Sequence, residues 1–423
     1  MSTLLPHPVG RRAWRGIGVV ATLLLAGCLS STPPYTMPSV PLADPAFQRT
    51  VEVNTRAPVV GGNKIALLVN GDEYFPPMLS AIRSAKTTIT FEQYVYEKAG
   101  IAEEFSQALA ERCRAGVRVS LLLDSAGAFG IPAEYVTLMR TSGCHVAFFR
   151  PLRPWQISRS NHRSHRRALV VDGRIAFTGG FGVSEKWTGD GRTPENWRDT
   201  VVRVEGPVVQ QIQASFAQNW RETTGMVLGG AAYVPAKPSV GTVSAQAVVS
   251  SPIGESYDTY LLLLMAIEAA QRSIYVTNPY FLPDERMSRA LLAAVHRGVN
   301  VKVMVPGKID HVYVRSASRR GFGPMIKAGV EIYEYHAALL HSKTMVIDGV
   351  WATVGSTNLD NRSFALNEEL NLVVYDADIG QKFERMFADD LTRCRRITYE
   401  EWKHRSLRDR ILELLTLPLK QQL

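Results

Sequence analysis

The sequence predicts an α/β protein made of two copies of one domain, packed about a pseudo-two-fold axis with a site at their interface. Three observations carry that prediction. The stretch HRRALVVDGRIAFTGGFG (165–182) returns as HSKTMVIDGVWATVGSTN (341–358), 176 positions later (341 − 165). What precedes each copy is also repeated: FSQALAERCRAGVRVSLLLDS (105–125) aligns with MSRALLAAVHRGVNVKVMVPG (287–307), and MRTSGCHVAFFR (139–150) with MIKAGVEIYEYH (325–336). Within each copy, strand-like runs alternate with helix-like ones, the pattern of an α/β domain with a mixed, largely parallel sheet. A period this long is no solenoid repeat.

Taken in order, the chain begins with a segment unlike the rest. Arg11, Arg12 and Arg15 precede an apolar run, Gly16 to Leu25, which is too short to span a bilayer, and Leu25-Ala26-Gly27-Cys28 follows as a cleavage site of small residues. The segment resembles a bacterial lipoprotein signal, in which Cys28 would be acylated; a plain secretory signal or a short anchor is the alternative. Residues 29–48, rich in Pro, Ser and Thr, read as an extended tether. Residues 49–228 form the first predicted domain: a strand at Thr87 to Tyr96, a helix at Glu103 to Arg114, a buried strand at Val117 to Leu123, then helix and strand through Phe149. Residues 229–251, rich in Gly, Ala, Pro and Ser, are the expected linker, and 252–423 the second domain. That domain ends in a helix where Leu407, Ile411, Leu414 and Leu415 recur at helical spacing. A membrane-surface helix is one reading; packing on the domain is the other, favoured because Pro418 cuts the helix short.

Composition sets the outer bounds. The chain has 423 residues, 46% of them hydrophobic, which is enough for packed cores in two or three domains. The net charge of +9 fits an anionic partner, phospholipid headgroup or nucleic acid, without separating them. Apart from Cys28 the cysteines are Cys113, Cys144 and Cys394, so at most one disulfide can form among them. No C-x-x-C or zinc spacing occurs, and His162 and His165 have no nearby ligand partners in the sequence.

The repeated motif carries the chemistry. A strand has a period of two, so His341 and Lys343 share a face, as do His165 and Arg167. An imidazole can attack phosphorus or protonate a leaving oxygen, and a fixed cation can hold a non-bridging phosphate oxygen. Alone, H-x-K on a strand would describe a solvated surface pair. The second copy argues against that, and each half offering one His suggests that neither is catalytic alone. Asp172 and Asp348 each precede Gly at a strand end, where D-G also suits a hairpin turn.

With both motifs in hand, the chain is similar to the phospholipase D superfamily, whose members carry two H-x-K-x₄-D motifs, and it looks most like the bacterial cardiolipin synthases. The resemblance runs from about Ile82 to Leu417. NPYFLPDE (278–285), Ala317-Ser318-Arg319, EIYEY (331–335), LHSKTMVIDGVWATVGSTNLDNRSFALNEE (340–369), Trp197-Arg198-Asp199-Thr200 and VRVEGP (202–207) carry it. The first motif departs twice: Arg167 stands for Lys, and Gly182 for the Asn of G-G-x-N. Arg keeps the charge but presents a larger planar fork.

The resemblance implies phosphatidyl transfer through a phosphohistidine, from phosphatidylglycerol, at a membrane surface on the periplasmic side of the cell envelope. No cofactor, metal or nucleic acid is implied. His165 would be the nucleophile and His341 the acid and base, although the intact second motif points the other way. Lys343, Arg167, Ser356 and Asn358 would hold phosphate oxygens, Glu369 and Asp199 would orient the imidazoles, and Asp172 and Asp348 would complete the site as structural members. Water as acceptor would make the protein a phospholipase, a DNA donor a nuclease, and a decayed first motif a phospholipid-binding protein.

Overall fold

Both repeats contribute to one continuous sheet. The computed structural model describes residues 35–151, 161–236, 238–251, 256–307 and 312–416. The proposed lipidation site Cys28 lies outside them. Helix α1 (Pro45–Thr55) leads into β1 (Val60–Val69), α2 (Asn70–Ser84), β2 (Thr88–Gln93), α3 (Gly100–Arg114), β3 (Arg118–Asp124), α4 (Ala133–Thr141) and β4 (His145–Phe149). The hairpin β5 (Ala168–Val171) and β6 (Ile175–Gly179), the short β7 (Trp197–Arg198), β8 (Thr200–Glu205) and α5 (Val209–Thr224) complete the first repeat. The second repeat runs β9 (Val243–Ser250), α6 (Asp258–Ala269), β10 (Ser273–Thr277), α7 (Glu285–His296), β11 (Asn300–Pro306), α8 (Val312–Ala328), β12 (Glu331–Tyr335) and β13 (Leu339–Leu340). It continues through β14 (Thr344–Ile347), β15 (Trp351–Gly355), α9 (Asn361–Ala365), β16 (Glu369–Tyr375), α10 (Ala377–Leu391), β17 (Cys394–Ile397), α11 (Tyr399–Lys403) and α12 (Leu407–Leu415).

Strand order is β17-β12-β11-β10-β14-β15-β16-β9-β1-β8-β6-β5-β2-β3-β4. Read outward from the β1–β9 seam, each repeat has the same sequence of strands, with β17 added at one edge. The sheet is mixed but not largely parallel. Only β2-β3-β4 and β10-β11-β12 pair parallel, while the other pairings are antiparallel. The D-G pairs account for two of the antiparallel pairings, β5 with β6 and β14 with β15. Asp172 and Gly173 have φ of 53° and 61°, Asp348 and Gly349 54° and 66°, so each motif strand turns back on itself in a tight hairpin.

The expected tether and linker also hold regular structure. Asp44 caps α1 by accepting from the Ala46 amide, so the helix starts before residue 49. The segment 229–251 supplies β9, which joins the repeats by pairing with both β1 and β16. Its burial as the central strand overrides the Gly/Ser-rich composition just before it. Residues 39–423 accordingly cluster as one compact unit.

Helix α6 (DTYLLLLMAIEA) is apolar nearly all round and buried along most of its length, as such a helix must be. Helix α10 is amphipathic, is capped by Asp376, and packs Ile379, Phe383 and Phe387 inward. Cys113 and Cys144 are bonded across 31 positions, tying the end of α3 to the start of β4. On the loop-entropy argument such a bridge contributes about 3–4 kcal/mol. Cys394 is free, and burial pushes its thiol up to about 12.

Candidate active site

The motif histidines lie just before the hairpin strands, and each is fixed to the opposite repeat through its main chain. The His165 amide donates to the Glu368 carbonyl (2.9 Å) and the His341 amide to the Arg198 carbonyl (2.8 Å). The parallel pairing of β7 with β13 and a bridge between Ser164 and Glu368 continue this contact. Both acceptor residues are pinned by buried ion pairs, Arg166–Glu368 at 2.9 Å and Arg198–Asp390 at 2.7 Å. Breaking either pair would leave an uncompensated buried charge, at a cost of about 3–5 kcal/mol.

The side chains cross in the same way. His165 Nδ1 lies 3.1 Å from Glu369 Oε1, and His341 Nδ1 lies 2.7 Å from Asp199 Oδ2. Each imidazole of one repeat therefore donates to a carboxylate of the other, which places the proton on Nδ1 and leaves Nε2 for chemistry. Cations stand beside both rings. Arg167 reaches His165 Nε2 at 2.9 Å and the His165 carbonyl at 2.7 Å; Lys343 Nζ lies 2.9 Å from the His341 ring nitrogens and donates to its carbonyl at 2.6 Å. The substituted Arg167 thus takes the place in the first repeat that Lys343 takes in the second.

His165, His341 and Arg167 line a cleft of about 680 Å³, with Tyr94, Trp187, Trp197, Tyr280, Asn358 and Asp360 among its other walls. Volumes of this order suit small-molecule headgroups. Burial, and then the adjacent cation, lower His165 to about 4 and His341 to about 3, so the empty site holds neutral imidazoles. Burial would raise Asp199 and Glu369, but the paired histidines hold both below the usual carboxylate range. Negative charge sits on the carboxylates, positive charge on Arg167 and Lys343.

The Gly182 departure in the first motif has a packing explanation. A Cβ on Gly182 would lie 2.9 Å from Trp187 Cζ3 and 3.0 Å from Val95 Cβ. The indole occupies the space that a larger residue at 182 would need. Trp187 donates from Nε1 to Asp199 Oδ2 (2.8 Å) and meets the His341 ring edge-on at 5.1 Å, while Trp197 lies 5.2 Å from that ring. At Gly180 a Cβ would lie 2.3 Å from Asp199 Oδ1. Its counterpart Ser356 instead donates its hydroxyl to Glu369, so each repeat fits the small residue to its own carboxylate.

The structure gathers His165, His341, Arg167, Lys343, Asp199, Glu369 and Asn358 in one place. It does not bring Asp172 or Asp348 there. Asp172 accepts from the amides of Lys86, Thr87 and Thr88, and Asp348 from those of Gln271, Arg272 and Ser273, at the far ends of their strands. They clamp hairpin to neighbouring strand and do not line the cleft. Ser356 is fully buried on Glu369 and the Leu370 amide, a carboxylate-positioning hydroxyl where a phosphate ligand was expected. Asn358 does line the cleft, and its Oδ1 has no partner among the described residues.

Sequence reasoning missed Trp187, Trp197, Asn70 and Asp360. Asn70 grips the Asp199 main chain from both sides, accepting from its amide at 3.1 Å and donating its own amide to the Asp199 carbonyl at 3.0 Å. Asp360 caps α9 and is pushed up to about 7 by burial. Neither belongs to a spaced motif. Only the tryptophans carried any local signal, Trp197 as the first residue of the W-R-D-T stretch and Trp187 ten positions before it.

The family model described as "Cardiolipin synthase, PLD-like domain" matches residues 78–220 and 263–391. The chain is 35% identical over 361 residues to cardiolipin synthase A of Pseudomonas putida (strain GB-1), covering 84% of this chain and 74% of that one. It is 33% identical over 380 residues to the cardiolipin synthase of Geobacillus kaustophilus (strain HTA426), covering 89% and 76%. Among solved structures, the phosphatidylserine synthase of Haemophilus influenzae Rd KW20 superposes with a TM-score of 0.66 over 89% of this chain and 100% of that one. At 12% identity this is a likeness of fold.

Proposed function

The chain belongs to the cardiolipin synthase family of the phospholipase D superfamily and is a phosphatidyl transferase, and from that premise we propose that it makes cardiolipin from two molecules of phosphatidylglycerol through a phosphohistidine. The observation that carries the proposal is the crossed pair of His–carboxylate dyads facing one cation-lined cleft.

In the first step His165 Nε2 attacks the phosphorus of one phosphatidylglycerol. An N–P bond forms, the P–O bond to the headgroup glycerol breaks, and the departing alkoxide takes a proton from His341 Nε2. In the second step His341 takes the proton from a hydroxyl of a second phosphatidylglycerol, whose oxygen attacks phosphorus and breaks the N–P bond. Cardiolipin and glycerol leave, and both imidazoles return to their starting state. Arg167, Lys343 and Asn358 hold the non-bridging oxygens, where charge concentrates in the transition state.

His341 must carry a second proton to act as acid, and in the empty site it is lowered to about 3. An arriving phosphodiester anion offsets the Lys343 and Arg167 charges that disfavour imidazolium, while Asp199 stabilises it. Substrate thus charges its own acid.

Residues 1–28 would act as a lipoprotein signal, with acylated Cys28 and the following segment tethering the enzyme to the periplasmic face of a membrane. Supplying the purified full chain with phosphatidylglycerol as sole phospholipid tests the reaction. Cardiolipin and glycerol in equal amounts are expected; phosphatidic acid alone would make the protein a hydrolase, and no turnover a phospholipid-binding protein.

A further inference from the structure

Helix α12 is docked on the protein by its polar side. Its buried positions are Glu413 and, at the helix end, Thr416. Glu413 accepts from Arg405 at 2.6 and 2.7 Å, the Arg405 guanidinium lies 4.1 Å from the centre of the Trp402 ring, and Trp402 donates to the Arg319 carbonyl of α8 (2.7 Å). Leu407, Ile411, Leu414 and Leu415 face the other way, at 73%, 49%, 56% and 68% exposure. At about 100° per residue these four fall within an arc of about 100°. Exposed Arg408 and Arg410 flank that arc, one on each edge. A contiguous apolar stripe on a helix surface marks a contact with something outside the chain.

The buried side of α12 packs over a cavity that adjoins the catalytic cleft. The cavity beneath α12 is lined by Phe281, Leu282 and Pro283, and the residue before them, Tyr280, lines the cleft itself. Tyr313, exposed in the first turn of α8, lines the same cleft. On the other side, the loop after β3 abuts Tyr94, since a Cβ on Gly127 would lie 2.4 Å from the Tyr94 carbonyl. That loop carries Phe129, 86% exposed. Both repeats therefore present apolar side chains near the mouth.

We propose that the Leu407–Ile411–Leu414–Leu415 face of α12 seats the enzyme in an anionic phospholipid surface, with Arg408 and Arg410 at headgroup level and the cleft mouth against the lipid. The choice of occupant rests on the phospholipid reading of the cleft. Apolar side chains flanked by arginines are what an interfacial helix requires, and the arginines favour an anionic surface. A soluble acidic protein would be matched by the arginines but not by four leucine-sized side chains in one stripe.

The test is insertion, read without turnover. Leu414→Trp in the full chain is mixed with phosphatidylglycerol vesicles carrying brominated acyl chains. The emission added by this tryptophan, read as the difference from the parent chain with its seven native tryptophans, is expected to fall at least about twofold, while that added by Val53→Trp, an exposed position on α1, stays unquenched and controls for anchoring elsewhere. Adding Arg408→Gln and Arg410→Gln is expected to raise the vesicle concentration for half-quenching by about 25-fold, about fivefold per arginine. No quenching at saturating vesicles would overturn the proposal. So would a blue shift that grows with protein concentration without lipid, which would assign the face to a second copy. Quenching without cardiolipin formation would sustain the docking face and count against the proposed reaction.

Discussion

Asp199→Asn separates the two histidine roles more sharply than replacing either histidine. Asp199 is fully buried, accepts from His341 Nδ1 at 2.7 Å and from Trp187 Nε1 at 2.8 Å, and is the carboxylate beside the ring that must become imidazolium. Two unit charges about 4 Å apart at an effective dielectric of about 20 interact by about 4 kcal/mol. Removing that support should raise the barrier for every step in which His341 carries two protons by about this amount, or about 10³-fold in rate. The loss should appear in kcat, with KM little changed, because Asp199 does not touch the substrate. The assay is release of glycerol and formation of cardiolipin from radiolabelled phosphatidylglycerol, with a denaturing quench at mildly alkaline pH to detect phosphate on protein. If His341 is the base of the second step, the variant should accumulate acid-labile, histidine-linked label once the first turnover is forced at high enzyme concentration. Asp199→Asn turnover within tenfold of wild type would refute the reasoning. Accumulation in Glu369→Gln instead would exchange the roles of His165 and His341.

Four further predictions come from the same geometry. Trp187→Phe keeps the ring but loses the Nε1–H bond to Asp199, so kcat should fall about tenfold, the worth of about 1.5 kcal/mol for a bond to a charged acceptor. Gly182→Asn brings the first motif into line with the family pattern, yet it should lower stability in chemical denaturation by about 1–3 kcal/mol, because its Cβ meets Trp187 and Val95. Arg167→Lys should stay within about tenfold of wild-type turnover, since Lys343 makes the matching contacts in the other repeat; a loss beyond about 10²-fold would mean that the site depends on the guanidinium fork. Asp172 is held below its usual value, burial being outweighed by the amides of Thr88, Thr87 and Lys86. Its contribution is therefore present above the unfolded value of about 3.9 and lost as pH falls through the lower folded one. Asp172→Asn should cost about 1–2 kcal/mol at pH 7, and its denaturation midpoint should converge on that of wild type at strongly acid pH.

The duplication, the alternating elements and the histidine–cation pairs were legible because they rest on local periodicity. In a strand of period two, His165 with Arg167 and His341 with Lys343 had to share a face. The D-G pairs were legible as hairpins. Taking their carboxylates as site members failed because a motif records co-occurrence, not distance, and these groups stand at the far ends of β5 and β14. Ser356 was misread for a related reason: only the packed structure brings Glu369 to its hydroxyl. Asn70 and Trp187 meet Asp199 and His341 across long sequence separations with no spacing rule to reveal them. For α12, periodicity identified an amphipathic helix but not which face would be buried, and the Arg405–Glu413 pair decided it against the leucines.

The β1–β9 seam has a consequence for how the chain reaches this state. Strand β1 is made early, yet its partners arrive late: Lys64 pairs with Glu205 in β8, and Asn63 with Val243 in β9. Contacts this distant in sequence close slowly. A first repeat that folds before β9 is available holds β1 on one side only, with a row of open amides and carbonyls along the other, which is a template for any free strand. Synthesis or export that stalls between Glu205 and Val243 would therefore yield a species prone to pair with itself through β1, and the arrival of β9 removes that edge.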